Sequence, residues 1–165
     1  MNDWKRILFV MFVAQLLSAV GFSMIFPFLP NYVASLGSVW GLDLVFLAGA
    51  VFSSQAITMM LASPVWGAVA DRVGRKPMVQ RALFGGAAII LAMAFARSAE
   101  ELVLLRAVQG VLTGIVSAGN ALVASVAPRE RSGFALGALQ TAMTSGVALG
   151  PVLGGILADS PQVLA

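Results

Sequence analysis

The 165-residue chain contains no cysteine and no histidine, and only 10% of its residues are charged. Without cysteine there is no disulfide framework, and without either residue there is no Cys/His metal site. Missing histidine also removes Ser-His and Cys-His nucleophilic chemistry and the commonest general base. A carboxylate pair is the remaining catalytic option. The only adjacent acids, Glu100 and Glu101, lie at the edge of an apolar run and are expected in a solvated loop. Neither an enzyme nor a cofactor-binding protein is expected.

What is abundant is hydrophobicity, at 59%. A soluble domain carries about a quarter charged residues, so this chain cannot cover itself with a polar surface. Its charges stand in short clusters between long uncharged runs, Ile7–Leu42, Leu44–Ala70, Ala82–Ala96, Ala107–Pro128 and Ser132–Ala158. A membrane helix needs about 20 apolar residues. Five spans are expected, at about 7–30, 44–68, 78–97, 103–126 and 134–157. The first is too long for a signal-peptide core and is read as a retained helix. The third must take in Pro77 in its first turn and Arg81, expected to snorkel to the headgroups. The fold class is therefore an all-α polytopic membrane protein.

Basic residues sort by side. Lys5 and Arg6 precede the first span, Arg72, Arg75, Lys76 and Arg81 lie between the second and third, and Arg129 and Arg131 between the fourth and fifth. The other loops hold Arg97 with Asp43, Glu100, Glu101 and Asp159. The positive-inside rule then places the N-terminus in the cytoplasm. It also explains the net charge of +3 without nucleic acid, which would need a solvated basic face.

Three segments are candidates for function. Gly67-Ala-Val-Ala-Asp71-Arg72-Val-Gly74-Arg75-Lys76-Pro77 falls between spans two and three. Gly67 would let span two approach a neighbour closely, Gly74 supplies a positive φ for a short turn, and Asp71 sits within a basic cluster. Arg106, Gln109, Thr113, Ser117 and Asn120 step by three or four residues down span four, which makes a polar stripe. A charge there is costly in a bilayer, and such residues face a cavity, a partner or the interface. On span five, Gly146, Gly150 and Gly154 form a ladder at four-residue spacing, with Pro151 as a bend.

These strings resemble the signature motifs of the major facilitator superfamily. The first matches its motif A loop at every defining position. Leu105-Arg106-Ala-Val-Gln109-Gly110, continuing to Gly114, is similar to motif B, and Gly146-Val-Ala-Leu-Gly150-Pro151-Val-Leu-Gly154-Gly155 to motif C. The resemblance covers residues 4–159. It implies the front of a proton-coupled drug antiporter with twelve spans: spans one to five of the N-terminal half, a six-helix bundle of 3+3 inverted repeats. It further implies a conformational gate at Gly67, Asp71, Arg72, Gly74, Arg75 and Lys76. Coupling or cavity roles fall to Arg106, Gln109, Gly110, Thr113, Ser117 and Asn120. An antiporter hinge falls at Gly146, Gly150, Pro151, Gly154 and Gly155. The first span is similar to that of drug exporters, with Gln15, Ser18 and Phe22 as residues toward a substrate. The implied partners are the lipid bilayer of the inner membrane, a small-molecule substrate, protons and a missing C-terminal half, without which no transport is expected. Export of a metabolite such as a sugar, amino acid or siderophore fits the same motifs.

No Asp or Glu lies inside any expected span, and arginine stays charged at any working pH. Either the proton carrier lies beyond this segment or coupling uses another ion.

Overall fold

The computed structural model describes residues 3–158, and these are helical with short connections. In chain order the helices are α1 (Asp3–Met24), α2 (Leu29–Leu36), α3 (Leu44–Val73), α4 (Arg75–Met93), α5 (Ala99–Leu112), α6 (Ile115–Val126) and α7 (Ser132–Ala158), with a 3₁₀ turn at Arg129–Arg131 before α7. Among the described residues, four stretches are long and apolar enough to cross a membrane: Asp3–Met24, Leu44–Val73, Ala99–Val126 and Arg129–Leu157. Large apolar side chains stand outward, with Val45, Phe84 and Phe134 each 70% exposed or more. In water that would be an aggregation surface; in a bilayer it is the outer face.

The boundaries differ from the expected ones for local reasons. The first span stops at Met24 rather than 30, because Pro27 and Pro30 each lack an N–H and disfavour helix before them; the chain turns and restarts as α2. The third expected span, 78–97, corresponds to α4, which opens on Arg75 and Lys76 and includes Arg81. Those charges keep it out of the four apolar stretches. The fourth, 103–126, is two helices, α5 and α6, parted at Thr113–Gly114, where Gly114 has φ +133°. A side chain rarely adopts that conformation.

Glu100 and Glu101 are in the first turn of α5 rather than in a loop. Ser98 caps the helix by accepting from the Glu101 N–H at 3.2 Å, an N-cap serine with glutamate three residues on. Glu100 Oε1 accepts from Ser38 Oγ at 2.6 Å and from the Trp40 N–H at 3.1 Å, so it fastens the segment between α2 and α3.

The helices form two compact units. One comprises residues 3–27 with 119–158, that is α1, most of α6 and α7. Its core contains Met11, Val123, Ala135, Leu139 and Ala142. The other is the continuous segment Phe28–Ala118, in which α3 packs on α5 and α4 also lies against α5. Its core contains Val33, Leu47, Val51, Ala82 and Leu102. Gly85 and Gly86 of α4 lie against Leu112 at the end of α5 and the Thr113 that follows it.

Candidate functional site

The site residues divide between the two units. In the continuous unit, the expected loop between spans two and three is almost entirely helical. Gly67 to Val73 complete α3, and Arg75, Lys76 and Pro77 begin α4. Gly74 alone makes the turn, with φ +100° and its N–H bonded to the Ala70 carbonyl at 2.9 Å. At 30 residues and 1.5 Å per residue, α3 is roughly 45 Å long, against a hydrocarbon core of about 30 Å.

The charges at this turn oppose the helix dipoles. Asp71 is in the last turn of α3, and Arg75 and Lys76 are in the first turn of α4. Helix ends favour cations at the C-terminus and anions at the N-terminus, by about 0.3–1 kcal/mol each. Of the four, only Arg72 obeys that rule. Asp71, Arg72 and Lys76 are exposed. The close approach expected at Gly67 is not made here: a Cβ built there meets nothing within 4 Å among the described residues.

Beyond this turn on α4, Arg81 is half-buried. Its guanidinium lies over the Trp66 ring, 3.4 Å from the centroid. Trp66 Nε1 in turn donates to the Val111 carbonyl at 2.7 Å. One side chain from each of α3 and α4 is thereby joined to the backbone of α5.

Arg106 is 5% exposed and Gln109 is 2% exposed, on the helix α5 that packs against α3. Arg106 Nη1 donates to Gln109 Oε1 at 3.1 Å and to Gln55 Oε1 of α3 at 3.2 Å. Gly110 makes this seam possible, because a Cβ there would collide with Thr58 Oγ1 and the Gln55 carbonyl. Thr113 Oγ1 donates to the Gln109 carbonyl at 2.7 Å, and exposed Ser117 donates to the Gly114 carbonyl at 3.0 Å.

The residues of the expected stripe are carried by two helices, α5 and α6, and the turn between them. Arg106 reaches Gln55 of α3, whereas Asn120 belongs to the other unit and accepts from Gln15 Nε2 of α1 at 3.5 Å. Gln15 is 2% exposed. Gly119 leaves room for its amide, since a Cβ there would stand 2.7 Å from Gln15 Nε2. Ser18 is half-buried. Phe22 meets Phe26 edge to face with centroids 4.9 Å apart.

The glycine ladder of α7 packs on α1. A Cβ at Gly146 would stand 2.7 Å from the Leu16 carbonyl oxygen and 2.6 Å from Ala19 Cβ. One at Gly150 would stand 2.8 Å from both Met24 N and the Val20 carbonyl oxygen. Ser23 Oγ donates to the Gly146 carbonyl at 3.1 Å. Gly154 is buried, while Pro151 and Gly155 face outward.

Sequence spacing missed Gln55, Trp66 and Ser23. The available signal for Gln55 was an amide in an otherwise uncharged run, with Thr58 three residues on and so on the same helix face. Among the described residues no cluster of acids suited to a metal ion is present.

The sequence profile of the Major Facilitator Superfamily matches residues 11–163. The chain is 45% identical over 158 residues to a protein named Multidrug resistance protein MdtG from Rahnella sp. (strain Y9602), covering 96% of this chain and 38% of the relative. The protein of that name from Enterobacter lignolyticus (strain SCF1) is 44% identical over the same shares of chain and relative. That from Serratia proteamaculans (strain 568) is 45% identical over 95% of this chain and 38% of the relative. The chain thus spans well under half the length of these relatives.

Proposed function

Since the chain belongs to the major facilitator superfamily, we propose that it is part of an exporter of small, amphipathic, drug-like molecules working by alternating access. The observation that carries this reading is the 45% identity over 96% of the chain to proteins named for multidrug resistance. The sites support it. A buried arginine bonded to two amides in an apolar helix is expensive to insert and marks a functional position. Charges set against the helix dipoles at Asp71, Arg75 and Lys76 break a local rule, as functional sites do.

In this reading α4 is the third of five crossing helices, the N-terminus is cytoplasmic, and the membrane is the inner one. Asp71, Arg72 and Arg75 bond in turn to helix ends supplied by the rest of the transporter, and so gate one face. Gly67 offers its open side to the same partner. Arg106 with Gln109 belongs to the coupling machinery, with protons as the driving ion. The residue that carries the proton is supplied from beyond this segment. The seam of Gly146 and Gly150 on α1, with Pro151 beside it, is the hinge. Gln15, Ser18 and Phe22 face the substrate path. The present segment does not transport by itself.

The test is drug extrusion from energised cells expressing the complete gene product, with and without Arg106→Ala. Extrusion that collapses with the proton gradient and is abolished by the substitution, at unchanged membrane insertion, is the expected result. Extrusion untouched by Arg106→Ala would reduce Arg106 to a packing residue. Transport of sugars, amino acids or siderophores in place of drugs would overturn the substrate class.

A further inference from the structure

Arg106 has two amide acceptors, and they are not equivalent. Gln109 lies three residues on along α5 and travels with Arg106 whenever that helix moves. Gln55 is on α3, so its bond ties the guanidinium to a neighbouring helix. Both oxygens meet the same nitrogen, Nη1, at 3.1 and 3.2 Å. The α3–α5 seam holds them there because Gly110 rests on the backbone of Gln55 itself. Turning the Arg106 side chain away from α3 breaks the Gln55 bond.

The chemistry of that acceptor matters. A guanidinium held by a carboxylate adds full Coulomb attraction in a low-dielectric interior to its charge-assisted bond. Breaking a buried pair of that kind is strongly unfavourable. A neutral amide holds the same geometry with a weaker bond. Glutamate would fit the same space, so the choice of glutamine at position 55 separates holding from locking.

We propose that Gln55 is a positioning residue for the transport cycle: its neutral amide oxygen holds Arg106 against α3 in one state and releases it in the other. This rests on the efflux reading above. Gln55 touches neither substrate nor proton in this role; it sets where Arg106 points and how readily Arg106 leaves.

The experiment compares Gln55→Glu, Gln55→Leu and Ser53→Ala in the complete gene product, with efflux normalised to the amount inserted in the membrane. Ser53 is exposed on the same helix and serves as the control. Gln55→Glu is expected to lower the maximal rate on the order of tenfold with KM unchanged, and Ser53→Ala to leave both alone. Independently, Arg106 is modified with phenylglyoxal in membranes and its peptide is quantified by mass spectrometry. Modification is expected to be fastest in Gln55→Leu, intermediate in wild type and slowest in Gln55→Glu. Equal losses of rate in Gln55→Glu and Gln55→Leu, or a full rate in Gln55→Glu, would overturn the proposal. So would modification rates that do not follow that order. A wild-type protein without gradient-driven efflux would sink the efflux reading instead, and the modification order would still decide whether Gln55 holds Arg106.

Discussion

Arg81 rests on the ring of Trp66, 3.4 Å from its centroid, while the indole N–H of Trp66 is spent on the Val111 carbonyl. A cation over an aromatic face contributes about 0.5–2 kcal/mol, and the hydrogen bond about 0.5–1.5 kcal/mol. Trp66→Phe keeps a ring under the guanidinium and loses the hydrogen bond; Trp66→Leu loses both. Thermal unfolding in detergent should therefore rank wild type above Trp66→Phe, and Trp66→Phe above Trp66→Leu. Equal midpoints for Trp66→Leu and wild type would show that the stack contributes nothing.

Glycines of one motif should respond differently. Alanine at Gly146 or Gly150 meets the backbone of α1 at 2.8 Å or less, and such overpacking costs roughly 1–3 kcal/mol. Alanine at Gly155 meets nothing within 4 Å and gains about 1 kcal/mol of helix propensity. Gly150→Ala is thus expected to lower the unfolding midpoint, and Gly155→Ala to hold or raise it. A common response of both variants would mean that the ladder does not pack as described.

Backbone conformation gives a separate test at Gly114, whose φ of +133° is strained for any side chain, by about 1–3 kcal/mol. Gly114→Ala should destabilise accordingly. Gly119→Ala, which meets only the flexible ends of Met11 and Gln15, should cost less. The same unfolding assay compares them, and a milder effect at Gly114 would argue for a continuous helix through that point.

The segment between α2 and α3 hangs on Glu100, which accepts from Ser38 and from the Trp40 N–H. Glu100→Ala removes both bonds while the Ser98 cap remains. Limited proteolysis should then cut between residues 37 and 43 at least severalfold faster than in wild type. An unchanged cutting rate would show that the segment is held by something other than this carboxylate.

Orientation can be read directly, because the chain has no cysteine to remove beforehand. Trp40→Cys should react with a membrane-impermeant maleimide added to intact spheroplasts, and Lys76→Cys only after permeabilisation. The reverse pattern would invert the proposed topology.

The parts of this molecule legible in the sequence were those written in adjacent residues. Helical class followed from charge-free runs, and the turn at Gly74 followed from a glycine amid charges. The turn proved tighter than expected because Asp71 and Arg72 continue α3 and Arg75 already belongs to α4. Partners were not legible. Arg106 announced itself by its cost in a membrane, but nothing in its spacing names Gln55, 51 residues earlier. The break at Gly114 was hidden because polar residues on both sides of it keep helical spacing, and periodicity is blind to a single φ angle. Arg81 was expected at the headgroups; that it also rests on the ring of Trp66 was not legible, because the two residues lie on different helices.

Ser23 and Gly146 bond across 123 positions of chain. A ribosome adding about 5–20 residues per second needs roughly 6 to 25 seconds to cover that distance. Throughout that interval α1 is made and its partner is not, while the whole of Phe28–Ala118 is being synthesised. Helix α1 is thus made well before the helix on which it packs. For those seconds its small-residue face, with the Ser23 hydroxyl on it, must be sheltered by lipid or by the insertion machinery. For α1, synthesis and packing are separated by the whole of the segment that forms the other unit.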